Sequence, residues 1–277
     1  MKKIVNWSNS YFARIHRNLG PITLSEQEEI RKTHVGIFGL GGLGGSLAEQ
    51  LARAGCQNFI ICDHDKFDES NLNRQICTLE DLGRNKIDVI EQLLLKIDPQ
   101  TKIQKYFEIS KENILRIIKN IDIAILTLDD LIASIIIARQ CRKKNVPLLE
   151  SWGIPCLWAW WFTPKSIDYE TCYDLPTYNM SIEEIERFDQ LTLQLILPKL
   201  FQIPGVKETY DREQGIFQDF LNGKHPSPSF APFVNITSSY LLVELIFAGI
   251  LKIKQKILAP RILGFDYLRM KMIDFTF

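Results

Sequence analysis

Residues 35–86 constrain this chain more than any other stretch. They open with Val35-Gly36-Ile37-Phe38-Gly39-Leu40-Gly41-Gly42-Leu43-Gly44-Gly45, an apolar run broken by glycines. Gly39, Gly41 and Gly44 carry the spacing G-x-G-x-x-G, with a strand pattern before them and a helical pattern after them. The first glycine permits a tight turn, the second admits a phosphate to the backbone, and the third lets helix and strand pack closely. The amino end of the new helix adds partial positive charge toward the anion. Asp63 ends a second apolar run, Phe59-Ile60-Ile61-Cys62, where a carboxylate would meet ribose hydroxyls.

Hydrophobic periodicity extends this unit into a sheet. Leu43, Leu47 and Leu51 predict a helix that stops at Gly55. Residues 58–63 read as a strand, 85–98 as a helix ended by Pro99, 102–107 as a strand and 113–119 as a short helix. Residues 121–128 are almost wholly apolar, as in a parallel strand buried on both faces. Asp129 and Asp130 stand at its carboxyl end, where open α/β sheets place ligands. A helix over 131–144 and a strand from Leu148 complete the alternation. The expected fold is α/β: a Rossmann-like, mostly parallel sheet with helices on both faces.

The second half reads differently. Cys156-Leu157-Trp158-Ala159-Trp160-Trp161-Phe162 predicts a strand ended by Pro164, its tryptophans serving core or subunit interface. Leu241, Leu242, Leu245, Ile246 and Ile250 mark a last buried helix. Residues 261–264 and 270–275 predict closing strands, so antiparallel strands extend the sheet in the C-terminal half. No linker separates a second domain. The expectation is one domain over 1–277: a helical arm at 1–33, a nucleotide-binding core at 34–155, a proline-punctuated substrate-side insertion at 165–234, and a closing helix and strands at 235–277. Within the arm, Ser25-Glu26-Gln27-Glu28 offers a capping-box helix start.

Lys+Arg and Asp+Glu balance at 33 each, which argues against a nucleic-acid-coating protein. Six cysteines without a C-x-x-C pair point to reduced thiols and remove the usual zinc-site spacing. Polar Asn6, Ser8, Asn9 and Ser10 interrupt any secretory apolar region. The apolar run 240–251 contains Glu244 and is too short for a bilayer. A soluble, cytoplasmic protein without membrane partner is expected.

Downstream of the glycine turn come Asp63-His64-Asp65, Asn71-Leu72-Asn73-Arg74-Gln75 and Gly83-Arg84-Asn85-Lys86. With the doubled Gly41-Gly42, these resemble the ThiF/MoeB/HesA adenylyltransferases of the ubiquitin-activating-enzyme-like superfamily. The resemblance is dense over 14–155 and returns faintly over 228–265. It implies an ATP-dependent enzyme that activates the C-terminal carboxylate of a ubiquitin-like sulfur carrier or a peptide as an acyl-adenylate. It also implies ATP and Mg²⁺ as cofactors and a homodimer. A carboxylate on modified tRNA suits the neutral charge less well. The residue types fit the chemistry. Gly39, Gly41 and Gly42 would lie against the nucleotide, Asp63 would take the ribose, and Asn71 and Gln75 would orient phosphates. Arg74 and Lys86 would neutralise phosphate charge, and Asp129 would hold Mg²⁺. By resemblance, Arg17 reaches the nucleotide of a partner subunit.

Alternatives stand beside each role. Asp63 could bind NAD ribose, Arg74 could pair with Asp65 or Glu69, and Lys86 could be a solvated first-turn residue. The competing functions are an NAD-dependent oxidoreductase and a non-catalytic scaffold of the same fold. Two departures from the family matter. Many members carry zinc on two C-x-x-C pairs, which this chain cannot build, and Asp129-Asp130 replaces the usual Asp-Asn. No cysteine follows Cys172, which reads as an ordinary loop thiol. Residues 165–234 would choose the substrate.

Overall fold

The computed structural model describes residues 7–187 and 195–277, and of Phe217 only the backbone. The start of the predicted arm and part of the predicted insertion lie outside the described residues. The arm holds α1 (Asn9–Ile15), a 3₁₀ turn His16–Asn18 and α2 (Leu24–Lys32). The capping box of α2 begins at Thr23, not at the predicted Ser25. Thr23 Oγ1 accepts from the Glu26 N–H at 3.3 Å, and the Glu26 carboxylate accepts from the Thr23 N–H at 2.7 Å. Glu28, the carboxylate that a Ser25 cap would need, is taken by Arg31 and by the Trp7 indole N–H.

The central alternation runs β1 (His34–Phe38), α3 (Gly42–Arg53), β2 (Asn58–Cys62), α4 (Lys86–Ile97), β3 (Lys102–Tyr106), α5 (Ile114–Lys119), β4 (Ile123–Leu126), α6 (Leu131–Lys144), β5 (Leu148–Glu150) and β6 (Trp160–Phe162). Small helices follow: α7 (Tyr169–Cys172), α8 (Ile182–Ile185), α9 (Leu197–Leu200), α10 (Val206–Tyr210) and α11 (Ile216–Leu221). Helix α12 (Ala231–Val243) continues as a π-helical stretch, Glu244–Ile250, before β7 (Arg261–Asp266) and β8 (Lys271–Thr276).

The sheet order is β3-β2-β1-β4-β5-β6, parallel except for β6, which runs antiparallel to β5. Strand periodicity assigns the two faces. Ile123 and Ile125 of β4 join a core with Leu47 and Leu51 of α3, Ile90 of α4, and Leu241 and Leu245 near the chain's end. Ala124 and Leu126 point the other way, to Ile117 of α5, Ile136 of α6 and Trp160. Trp158, Trp160 and Trp161 are fully buried, so the tryptophan cluster is core. Each such side chain removed from water stabilises the fold by roughly 1.5–3 kcal/mol or more.

The predicted strand over 156–162 shortens, because only 160–162 pairs with β5 while Leu157 bridges to Phe265 instead. One antiparallel strand therefore extends the main sheet, and β7 with β8 forms a separate two-stranded sheet. The last helix is also longer than its apolar run. It is helical from Ala231 to Ile250, 20 residues, long and apolar enough to cross a membrane by length and composition. Its Leu241, Leu245 and Ala248 are buried in the core, and its one carboxylate, Glu244, is paired with Lys254 and accepts from the Trp161 indole at 3.2 Å.

Candidate active site

The carboxyl ends of β1, β2, β4 and β5 open into one cleft with a cavity of about 210 Å³. The chain leaves β1 toward β2 on one side, and β4 lies on the other. This reversal of strand order leaves a crevice between the connections, where open α/β sheets bind ligands.

The glycine turn forms its floor. Gly39 has φ +96°, a left-handed value, and a Cβ there would come within 2.5 Å of the Thr127 carbonyl. A Cβ on Gly44 would stand 1.8 Å from the Gly39 carbonyl, so α3 rests directly on the turn. Thr127 Oγ1 donates to the carbonyls of Phe38 and Gly39 and ties β4 to it. Gly41 caps α3 and faces open space, its nearest neighbour being Gln75 Nε2, 3.7 Å from where a Cβ would stand.

Asp63 is buried at the end of β2. Its Oδ2 accepts from the Leu40 N–H at 2.6 Å and its Oδ1 from the Asp65 N–H at 2.8 Å. Burial pushes its carboxyl above the usual range, against the pull of those two N–H groups and of Lys86. Each oxygen keeps a lone pair for a ligand hydroxyl. A second cavity, of about 280 Å³, adjoins the first and shares Asp63, His64 and Leu128 with it. Phe107, Ile109 and Ala133 give that cavity apolar surface, and Glu108 and Asp130 line it as well.

Two cations enter the cleft. Lys86 opens α4 but is only 6% exposed, so it is not a solvated first-turn residue. Its Nζ lies 2.8 Å from Asp65 Oδ2. Arg74 makes no contact with Asp65 or Glu69; it donates to the Ser70 carbonyl at 2.9 Å and to Asn73 Oδ1 at 2.8 Å. Gln75 lines the cleft with a buried Oε1 that has no hydrogen-bond partner among the described residues. Asp129 is exposed at the cleft, and its carboxylate has no partner among the described residues. Asp130 does something else: it caps α6, accepting from the Ala133 N–H at 3.0 Å. The extra carboxylate is thus turned into helix capping.

Two predicted residues stand outside the cleft lining. Asn71 is buried and serves its own turn, donating to Asp68 at 3.2 Å. Arg17 is exposed in the turn before α2, beside Asn18, which donates to the Ala54 carbonyl at the carboxyl end of α3. A 12-residue helix spans about 18 Å at 1.5 Å per residue, so Arg17 sits at the end of α3 remote from the glycine turn.

Glu150, not singled out from sequence, also lines the cleft. It is 2% exposed and accepts from the hydroxyls of Tyr169 at 3.2 Å and Tyr173 at 2.7 Å. Burial pushes its carboxyl up to about 8. The rule that located Asp129, a carboxylate at a strand's carboxyl end, could have located Glu150 as well. Asp65 was visible in the Asp-x-Asp motif, but its partner was not. Cys172 is buried, and burial pushes its thiol well above the ordinary value.

The cleft thus presents backbone N–H groups, two cations, an unpaired carboxylate and an orphan amide oxygen to one volume. That set can hold a polyphosphate. Asp63, Asp65 and Asp129 outnumber Arg74 and Lys86, so an anionic ligand fits better with a divalent cation alongside. No group of three or more His, Cys, Asp or Glu forms a closed metal site among the described residues. A lone carboxylate such as Asp129 fits a hard ion that takes its remaining ligands from phosphate and water.

The ThiF family model matches residues 14–276. The tRNA threonylcarbamoyladenosine dehydratase of Bacillus subtilis (strain 168) is 29% identical over 131 residues, covering 46% of this chain and 51% of that protein. A probable molybdopterin-synthase adenylyltransferase of Gracilaria tenuistipitata var. liui is 34% identical over 132 residues, covering 47% of this chain and 37% of the relative. The chain thus spans about half, or less, of these relatives' length. Escherichia coli MccB, solved with ATP, superposes with a TM-score of 0.64 at 20% identity, covering 91% of this chain and 66% of MccB. At that identity the likeness is one of fold.

Proposed function

Since the chain belongs to the ThiF family, we propose that its cleft adenylates a carboxylate with ATP. One observation carries this reading. The glycine turn after β1, the β2–α4 connection with Asp63, Arg74, Gln75 and Lys86, and Asp129 after β4 line a single cavity.

The base would occupy the cavity beyond Asp63, against Phe107 and Ile109, and Asp63 would accept from the ribose hydroxyls. The phosphates would lie over Gly41 and Gly42 at the positive end of α3. Arg74 would grip phosphate oxygens with its planar fork, and Lys86 would exchange Asp65 for phosphate as a point charge. Asp129 would hold Mg²⁺, which when bound neutralises charge on the phosphates. An oxygen of the substrate carboxylate attacks the α-phosphorus, the bond to the bridging oxygen breaks, and pyrophosphate leaves with that electron pair. The product is an acyl-adenylate. The protein's part is alignment and charge stabilisation of the transition state.

The proposed substrate is the C-terminal carboxylate of a ubiquitin-like carrier or a peptide, and the proposed setting is a cytoplasmic homodimer. The NAD-dependent alternative leaves Lys86 and Arg74 in the cleft without a task.

The test is pyrophosphate exchange into ATP with Mg²⁺ over candidate carboxylates, with parallel NAD titration. Asp129→Ala is expected to abolish Mg²⁺-dependent exchange. The residue is exposed, so folding stability should stay within about 0.5 kcal/mol. Wild-type turnover in Asp129→Ala across Mg²⁺ concentrations would remove the metal role.

A further inference from the structure

The cleft has two chemically distinct halves. The half built by the glycine turn and the ends of β2 and β4 holds the charged groups just described. The other half is lined by Ile154, Leu197, Leu200, Tyr210, Phe220 and Val234, contributed mainly by α9, α10, α11 and α12, with Ser227 and Ser229 just before α12. Trp152 closes it on the sheet side. The Trp152 indole N–H is spent on Tyr173 Oη at 3.0 Å, so its polar edge is turned away from ligands.

Among the described residues, no lysine or arginine lines this half. Lys199 of α9 points elsewhere, to Asp174 at 2.7 Å and the Cys172 carbonyl at 3.1 Å. Arg269, close to α10, is bound to Asp266 at 2.9 Å and the Gly205 carbonyl at 3.1 Å. The one carboxylate here, Glu150, is covered by two tyrosine hydroxyls. An acidic group entering this half would find no cation and a basic group no free anion, and either would lose its water without replacement.

We infer that the residue bearing the activated carboxylate has a bulky apolar side chain, and that the α9–α12 wall is the subsite that selects it. This rests on the adenylation reading for the position of the carboxylate. In-line attack requires the carboxylate beside the phosphates, and the α9–α12 residues line that same cavity, within reach of its side chain. Selectivity then follows from area buried: a leucine or phenylalanine gains contact there that glycine lacks, and a charged side chain is rejected.

The experiment uses the full chain and five peptides, acetyl-Ala-Ala-Ala-X with X = Leu, Phe, Gly, Asp or Lys. Binding is measured by calorimetry with a non-hydrolysable ATP analogue and Mg²⁺ present, and reaction by pyrophosphate exchange. Leu and Phe peptides are expected to bind about ten- to a hundredfold more tightly than the other three and to dominate exchange. Equal binding of all five, preference for Gly, Asp or Lys, or no measurable binding of any would overturn the subsite. The two readouts separate this inference from its premise. Selective binding of Leu and Phe peptides without exchange would leave the subsite standing and sink adenylation. Efficient exchange that ignores X would keep adenylation and sink the subsite.

Discussion

Lys86 is only 6% exposed, and Asp65, which sits 2.8 Å away, remains half-exposed to water. A cation held so is ready to change partners, since phosphate can replace a carboxylate that water will accept. Arg74, bound among the described residues to a carbonyl and an amide, needs no such exchange. Lys86→Ala and Arg74→Ala are each expected to lower the maximal rate of pyrophosphate exchange by about a hundredfold, the loss of one transition-state charge partner. A raised KM for ATP with unchanged maximal rate would reassign either residue to uniform binding. Glu150 makes a separate prediction. Its ordinary value is 4.5 and burial raises it to about 8, so the folded chain keeps a proton that the unfolded chain releases. Stability therefore falls as pH rises between those values, by at most about 1.4 kcal/mol per pH unit, and levels off above them. Tyr169, Tyr173 and the Cys172 thiol face this group, and burial raises all three, so none titrates in that window. Glu150→Gln keeps a neutral hydrogen-bonding group, and its melting temperature should fall less steeply than wild type between pH 5 and pH 8. Parallel slopes would show that Glu150 does not titrate there.

At the scale of the element, the glycine turn and α3 act as one unit with two separable duties. Gly44 belongs to packing: a Cβ there meets the Gly39 carbonyl at 1.8 Å and Thr127 Oγ1 at 2.6 Å. The Gly39 backbone cannot yield, and Thr127 Oγ1 is tied to the Phe38 and Gly39 carbonyls. Gly44→Ala is expected to cost about 3 kcal/mol, the upper end of overpacking, and to lower the melting temperature by about 6–12 °C. Gly41 belongs to the ligand: a Cβ there meets only Gln75, at 3.7 Å. Gly41→Ala should melt like wild type while binding ATP more weakly, since the methyl projects where phosphate would approach. Thermal melts paired with ATP titration check both, and equal loss of stability in the two variants would dissolve the distinction. Helix α12 reaches the same site from the far end of the chain. Val234 lies against Gly42 and Gly153, and Ser238 donates to the Leu43 carbonyl at 3.1 Å.

The molecule as a whole puts Arg17 at the wrong end of α3 for its own cleft. Most soluble oligomers are two-fold homodimers, in which one patch meets itself and a residue remote in one chain can complete the site of the other. If the proposed homodimer places Arg17 so, activity depends on association. Mixing inactive Arg17→Ala with inactive Asp129→Ala should then restore part of the pyrophosphate exchange. A mixed dimer holds one site with Asp129 from one chain and Arg17 from its partner. No rescue, with subunit exchange proven by labelled chains, would place Arg17 outside the site.

What the sequence determined by itself is whatever short-range periodicity and strand ends encode. The parallel alternation from β1 to β5, the glycine turn, and the placing of Asp63 and Asp129 at strand termini follow from patterns a few residues long, each reporting which face must be buried. Only the tertiary structure decided the pairings between distant segments. Lys86 takes Asp65 across a loop, Asp130 is drawn into capping α6, and Asn71 folds back on its own turn. The wall of α9 to α12 closes on a cleft begun more than a hundred residues earlier. Such contacts depend on the path of the chain through space. Helices as short as α9 and α10 carry too few turns to show a periodicity, so nothing local announces which side chains will face the substrate.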